Sequence, residues 1–153
     1  MDTPAISIQQ LTKTFLTLRG PVEALRGLDL EVRKGEIFGY IGVNGAGKST
    51  SIKVLLGLIQ PTSGLADVFG QPAGTLEARR QIGYLPEVAT YHEFMSADEL
   101  LRVHARLAGV PKGEIQSRCD SSLDIVGLSN RRSSRISEFS KGMKQRFGIA
   151  QAL

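Results

Sequence analysis

The run Gly42-Val43-Asn44-Gly45-Ala46-Gly47-Lys48-Ser49-Thr50 constrains this chain more than any other feature. It is a complete G-x-x-x-x-G-K-[ST] loop, and it stands between a strand-like and a helix-like stretch. Upstream, Glu36 to Ile41 (EIFGYI) ends in apolar, β-favouring residues and predicts a strand. Downstream, Ile52, Leu55, Leu56 and Ile59 recur at the spacing of a helix with one buried face. The glycines let the backbone curl so that successive N–H groups of Asn44, Gly45, Ala46, Gly47 and Thr50 can face phosphate oxygens at the positive end of a helix. Lys48 is then placed to reach the β- and γ-phosphates, and the Ser49 hydroxyl to ligate Mg²⁺. The pattern implies a nucleoside triphosphate, ATP or GTP, as ligand.

Across 153 residues, 41% are hydrophobic and 22% charged, which suits one globular domain with a real apolar core. A net charge of +4 fits a polyanionic small ligand and is too mild to argue for nucleic acid. Cys119 is the single cysteine, which excludes a disulfide framework; it falls on the stripe Ile115, Cys119, Ser122, Val126 and reads as packing. The first residues, Met1-Asp2-Thr3-Pro4, carry an acid and no long apolar run, so no signal peptide is expected. Val54 to Ile59 is too short to cross a bilayer, so any membrane role is expected to be peripheral.

Ile6 to Leu11 and Val22 to Val32 read as an antiparallel pair leading into the loop strand. Leu65 to Phe69 predicts a strand, Thr75 to Gln81 a short helix, and Ile82 to Leu85 a strand halted by Pro86. The character then becomes helical. Ser96-Ala97-Asp98-Glu99 is a capping box opening a helix with Leu100, Val103, His104 and Leu107 on one face. Glu114 to Val126 predicts a second helix, Ser129 to Ser137 a solvated basic loop with Arg131, Arg132 and Arg135, and Ser140 the N-cap of a last helix through Leu153. Residues 1–86 are therefore expected to form the nucleotide-binding part and 87–153 a helical part. Asp67-Val68-Phe69-Gly70 mimics a GTPase D-x-x-G, but no guanine-reading N-K-x-D occurs.

Over essentially its whole length the chain resembles the ATP-binding domain of ABC (ATP-binding cassette) transporters. Ile82-Gly83-Tyr84-Leu85-Pro86-Glu87 matches the family's Q-loop, with Glu87 where many members have Gln. Phe139-Ser140-Lys141-Gly142-Met143-Lys144-Gln145-Arg146 matches the LSGGQ signature, with Phe for Leu, Lys for the first Gly and Met for Gln. The Glu87 substitution and the FSKGMKQR form of the signature both resemble drug- and Na⁺-exporting (ABC-2 type) members. The resemblance implies an α/β fold: a P-loop NTPase core with a small antiparallel β subdomain and an α-helical signature subdomain. It implies that Phe15 stacks on adenine, core burial being the alternative for that ring, and that Glu87 joins Ser49 at Mg²⁺. Ser140, Lys141 and Gly142 would meet ATP in trans, in a head-to-tail homo- or pseudo-dimer on the cytoplasmic face of a membrane permease.

Hydrolysis in this family uses a Walker B Asp, a following Glu, a D-loop and a switch histidine, and no segment of the 153 residues matches them. His92 and His104 lie outside the switch position. The expected function is an ATP-binding subunit that powers export, with these 153 residues alone inactive. The alternative is a nucleotide-binding interaction module without catalysis; a P-loop kinase or GTPase is disfavoured by the Q-loop and signature.

Overall fold

A computed structural model describes residues 3–153. The chain divides between Ile82 and Gly83 into two compact units, ahead of the boundary drawn at Pro86 from the sequence.

The first unit is built on a four-stranded antiparallel sheet ordered β2-β1-β3-β4. Strand β1 (Ile6–Thr17) and β2 (Gly20–Val32) form a hairpin across a two-residue turn at Leu18 and Arg19, both strands extending beyond the limits read from the sequence. Strand β3 (Ser63–Val68) pairs with the other edge of β1, and β4 (Gln71–Pro72) follows. Register shifts interrupt β1 after Ile8, where Gln10 adopts φ 46° and its N–H donates to Asp29 Oδ1 at 2.7 Å. Ile8, Leu11 and Leu25 meet Val54 of helix α1 (Lys48–Leu55) in the core of this unit.

Helix α1 is shorter than its apolar spacing predicts. Gly57, at φ 67°, closes it in a Schellman turn: its N–H donates to the Val54 carbonyl at 2.8 Å, and that of Leu58 to the Lys53 carbonyl at 2.9 Å. A Cβ on Gly57 would stand 2.3 Å from the Gly74 Cα, so another residue there would disturb the approach of these loops. The buried positions of the helix are Ser51 and Val54, and Ile59 lies beyond its end. Helix α2 (Leu76–Arg79) is one turn, its first amides capped by Thr75.

Two expected strands, Glu36 to Ile41 and Ile82 to Leu85, do not form. A strand exists only through its ladder, and among the described residues neither segment has one. Ile37 and Ile41 are 101% and 92% exposed as a result.

The second unit packs helices α3 (Ala97–Leu107), α4 (Ile115–Ile125) and α5 (Lys141–Ala152) around Leu100, Cys119, Leu123, Ile136 and Phe147. The capping box at α3 is complete, Ser96 Oγ accepting from the Glu99 N–H and Glu99 Oε2 from the Ser96 N–H at 2.8 Å. Leu107, expected on the buried face of α3, is exposed, and Leu101 is buried instead. The basic loop is not simply solvated. Ile136 is fully buried, and Arg132 bridges Asp98 at 2.7 Å and Asp120 at 2.8 Å. Burial alone would raise the Asp98 carboxyl, but hydrogen bonds and charge from Arg102 and Arg132 outweigh it and hold the group below the usual carboxylate range. Cys119 is buried as expected, and burial pushes its thiol up, away from the reactive thiolate.

Candidate nucleotide site

After β2 the chain turns at Arg33 to Gly35 and runs to the glycine loop without pairing. Gly45 and Gly47 take φ 84° and 88°, and the Ala46 N–H donates to the Val43 carbonyl at 3.2 Å, which curls the loop. Gly47 is also the N-cap of α1. A Cβ there would lie 2.4 Å from the Ala24 carbonyl oxygen of β2, so glycine is demanded twice, by conformation and by space. Only the first demand was legible in the sequence.

Helices α2, α3 and α5 each have a side-chain oxygen on their first-turn amides, from Thr75, Ser96 and Ser140. Helix α1 has none. The amides of Lys48, Ser49 and Thr50 therefore carry the positive helix end with no protein oxygen from the cap, which is the donor set an oxyanion fits. Lys48 Nζ folds over the loop and donates to the carbonyls of Gly42 and, at 2.9 Å, Val43. The ammonium is thus held at the loop itself. Asn44 and Ser49 are exposed, and the Ser49 hydroxyl is free to serve a hard cation, which takes oxygen ligands. Behind the loop, the buried Ser51 hydroxyl donates to the Lys48 carbonyl at 2.8 Å and lies 3.2 Å from Tyr40 Oη, bracing the first turn.

Phe15 sits on β1 opposite Val22, in the same unit as the loop, and the residue is exposed in that unit, outside its buried core cluster. Lys13, two residues earlier on β1 and across a register shift of the ladder, holds its ammonium 5.1 Å from the centre of that ring. The same Nζ donates to the Gln60 carbonyl at 2.7 Å.

In the second unit Glu87 is exposed. The preceding Gly83 and Leu85 lie against α5: a Cβ on Gly83 would be 2.0 Å from the Ala152 oxygen, and one on Gly148 2.4 Å from Leu85 Cδ1. Ser140 caps α5, its Oγ accepting from the Met143 N–H at 3.2 Å, and Lys141 and Gly142 are exposed beside it. Unlike Gly47, Gly142 has open space where a Cβ would stand. The rest of the signature anchors this exposed start. Phe139 packs edge-on to Phe147 with centroids 6.3 Å apart, Lys144 pairs with Glu93, and Arg146 donates to the Val126 carbonyl at 3.0 Å. Tyr91 donates to the Lys144 carbonyl at 3.2 Å and meets Phe147 at 5.3 Å; burial raises its phenol pKa.

The family model for ABC transporter domains matches residues 25–153. Methionine import ATP-binding protein MetN 1 of Bacillus cereus is 42% identical over 97% of this chain and 44% of its own length. Bacitracin transport ATP-binding protein BcrA of Bacillus licheniformis is 39% identical over 97% of this chain and 47% of its own. This chain thus spans about half the length of these curated relatives. A dimeric structure of the ATP-binding cassette MJ0796, in a post-hydrolysis state with ADP and Pi, superposes with a TM-score of 0.81 at 24% identity, over 97% of this chain and 68% of that one, and so shares the fold. Glycine loop, Q-loop segment, signature helix start and family match agree, and the chain belongs to the ABC transporter family of ATP-binding proteins.

Proposed function

We propose that this chain is the Mg-ATP-binding part of an ABC transporter subunit that, as a homo- or pseudo-dimer, drives export through an integral membrane permease. The observation that carries the proposal is the uncapped start of α1 behind a loop of left-handed glycines, with Lys48 held over it. In this reading the amides of Gly45 to Thr50 and the Lys48 ammonium bind the phosphates, and Phe15 stacks on adenine. Ser49 and Glu87 supply oxygen to Mg²⁺. When bound, the cation neutralises charge on the β- and γ-phosphates. Ser140, Lys141 and Gly142 meet the nucleotide of a partner copy from the first turn of α5. Among the described residues no helix is long and apolar enough to cross a membrane, and we place the chain at the inner, cytoplasmic face by way of its permease.

Export is supported by Glu87 and by the FSKGMKQR form of the signature; the likeness to the methionine import protein favours uptake as the second reading. Reconstitution with the cognate permease and measurement of net substrate flux decides between them.

Charge-assisted hydrogen bonds contribute about 1.5–3 kcal/mol each, so Lys48→Ala should weaken ATP roughly tenfold to a hundredfold and adenosine hardly at all. Equal losses for both would remove the loop from this role. Residues 1–153 alone should bind ATP weakly at best and not turn it over, because they contain no match to the catalytic carboxylates; steady hydrolysis by them, abolished in Lys48→Ala, would overturn that part.

A further inference from the structure

We infer that Lys13 is a positioning residue for the nucleotide base, acting through Phe15; the inference rests on the reading of Phe15 as the adenine platform. Lys13 sits over the Phe15 ring at 5.1 Å from its centroid while donating to the Gln60 carbonyl at 2.7 Å. That carbonyl belongs to the turn that follows α1, the helix started by the phosphate loop. The turn is itself stapled to β1 around the aromatic: the Thr62 N–H donates to the Thr12 carbonyl at 2.9 Å, Thr62 Oγ1 accepts from the Thr14 N–H at 3.0 Å, and Ser63 Oγ meets Thr12 Oγ1 at 2.7 Å. One ammonium therefore joins the ring to the segment that follows the helix started by the phosphate loop.

Two physical consequences follow for a bound base. With one face covered by the cation, the ring offers its opposite face for stacking, which fixes on which side the base lies. The cation also draws π density towards itself, and the free face becomes less negative towards the π cloud of an incoming base. An exposed aromatic held in this way also loses less rotamer freedom when a base arrives.

Affinities of ATP and of inorganic tripolyphosphate, which has the phosphates and no base, separate the possibilities in the natural full-length polypeptide. Lys13→Met keeps the length of the side chain and removes the charge. It should weaken ATP by about twofold to fivefold, a coupling bounded by an exposed cation–π contact, and leave tripolyphosphate unchanged, while Lys13→Arg restores ATP binding. Phe15→Ala should narrow the difference between the two ligands. If Phe15→Ala narrows it and Lys13→Met does not weaken ATP, the inference fails and the adenine platform stands. If Phe15→Ala leaves the difference intact, the platform itself is wrong and the inference goes with it. Equal losses of both ligands in Lys13→Met, or no recovery in Lys13→Arg, would make the lysine a phosphate or fold residue and overturn its role at the base.

Discussion

Helix α1 of the sheet unit and the two serine-capped helices of the helical unit handle the same physical problem, the polar groups at the start of a helix, in opposite ways. In the helical unit α3 and α5 begin under serine caps, and Arg132 satisfies two carboxylates across elements. In the sheet unit α1 begins on a bare glycine, its lysine turned onto loop carbonyls, beside an apolar stretch of high exposure. The first arrangement closes its interactions within itself; the second leaves donors available, which is what a ligand needs.

The largest effect that sharpens this contrast is Phe147→Ala. Phe147 is fully buried and meets both Tyr91 and Phe139 edge-on, so its loss should cost about 3–5 kcal/mol. Denaturant unfolding followed by circular dichroism measures it. A loss below 1 kcal/mol would mean the helical unit does not depend on its own core. Gly47→Ala is expected next. The left-handed conformation costs a residue with a Cβ about 1–2 kcal/mol, and the new atom must also move the Ala24 carbonyl 2.4 Å away, so stability and ATP affinity should fall together. Unchanged melting with intact ATP binding would show that the loop is not braced on β2.

What could be read from the chain was what is local. The glycine loop, the Ser96 capping box and the Ser140 cap depend on residues a few positions apart, and each formed where its spacing placed it; the β1–β2 pair formed too, with both strands longer than read. What could not be read was what depends on a distant partner. Glu36 to Ile41 has the composition of a strand, yet strand formation depends on a neighbour, not on the segment. The end of α1 at Gly57 was missed because apolar spacing continues past a residue whose positive φ terminates the helix. Arg132 was read as solvated because its carboxylates, Asp98 and Asp120, lie far away in sequence. Lys13 was missed because the strand was read as ending at Leu11, whereas β1 continues through Phe15 across a register shift that brings the cation to the ring.

The smallest expected effect on the fold is the most telling about the site. Gly142→Ala places a methyl in open space at the second position of α5, so nothing in the unit resists it. Alanine is the better helix former by up to about 1 kcal/mol, and stability should stay level or rise slightly. If the glycine is there to let the helix start approach a nucleotide on a partner copy, the same substitution should weaken ATP-dependent dimerisation while leaving ATP binding by the monomer untouched. Sedimentation with and without ATP reads the first quantity and nucleotide titration under dilute, monomeric conditions the second. A variant that melts as the parent and dimerises as the parent would leave Gly142 without a role at the partner's nucleotide. Set beside Gly47→Ala, which should damage fold and ligand together, it separates a glycine held by the protein's own packing from one kept clear for something outside it.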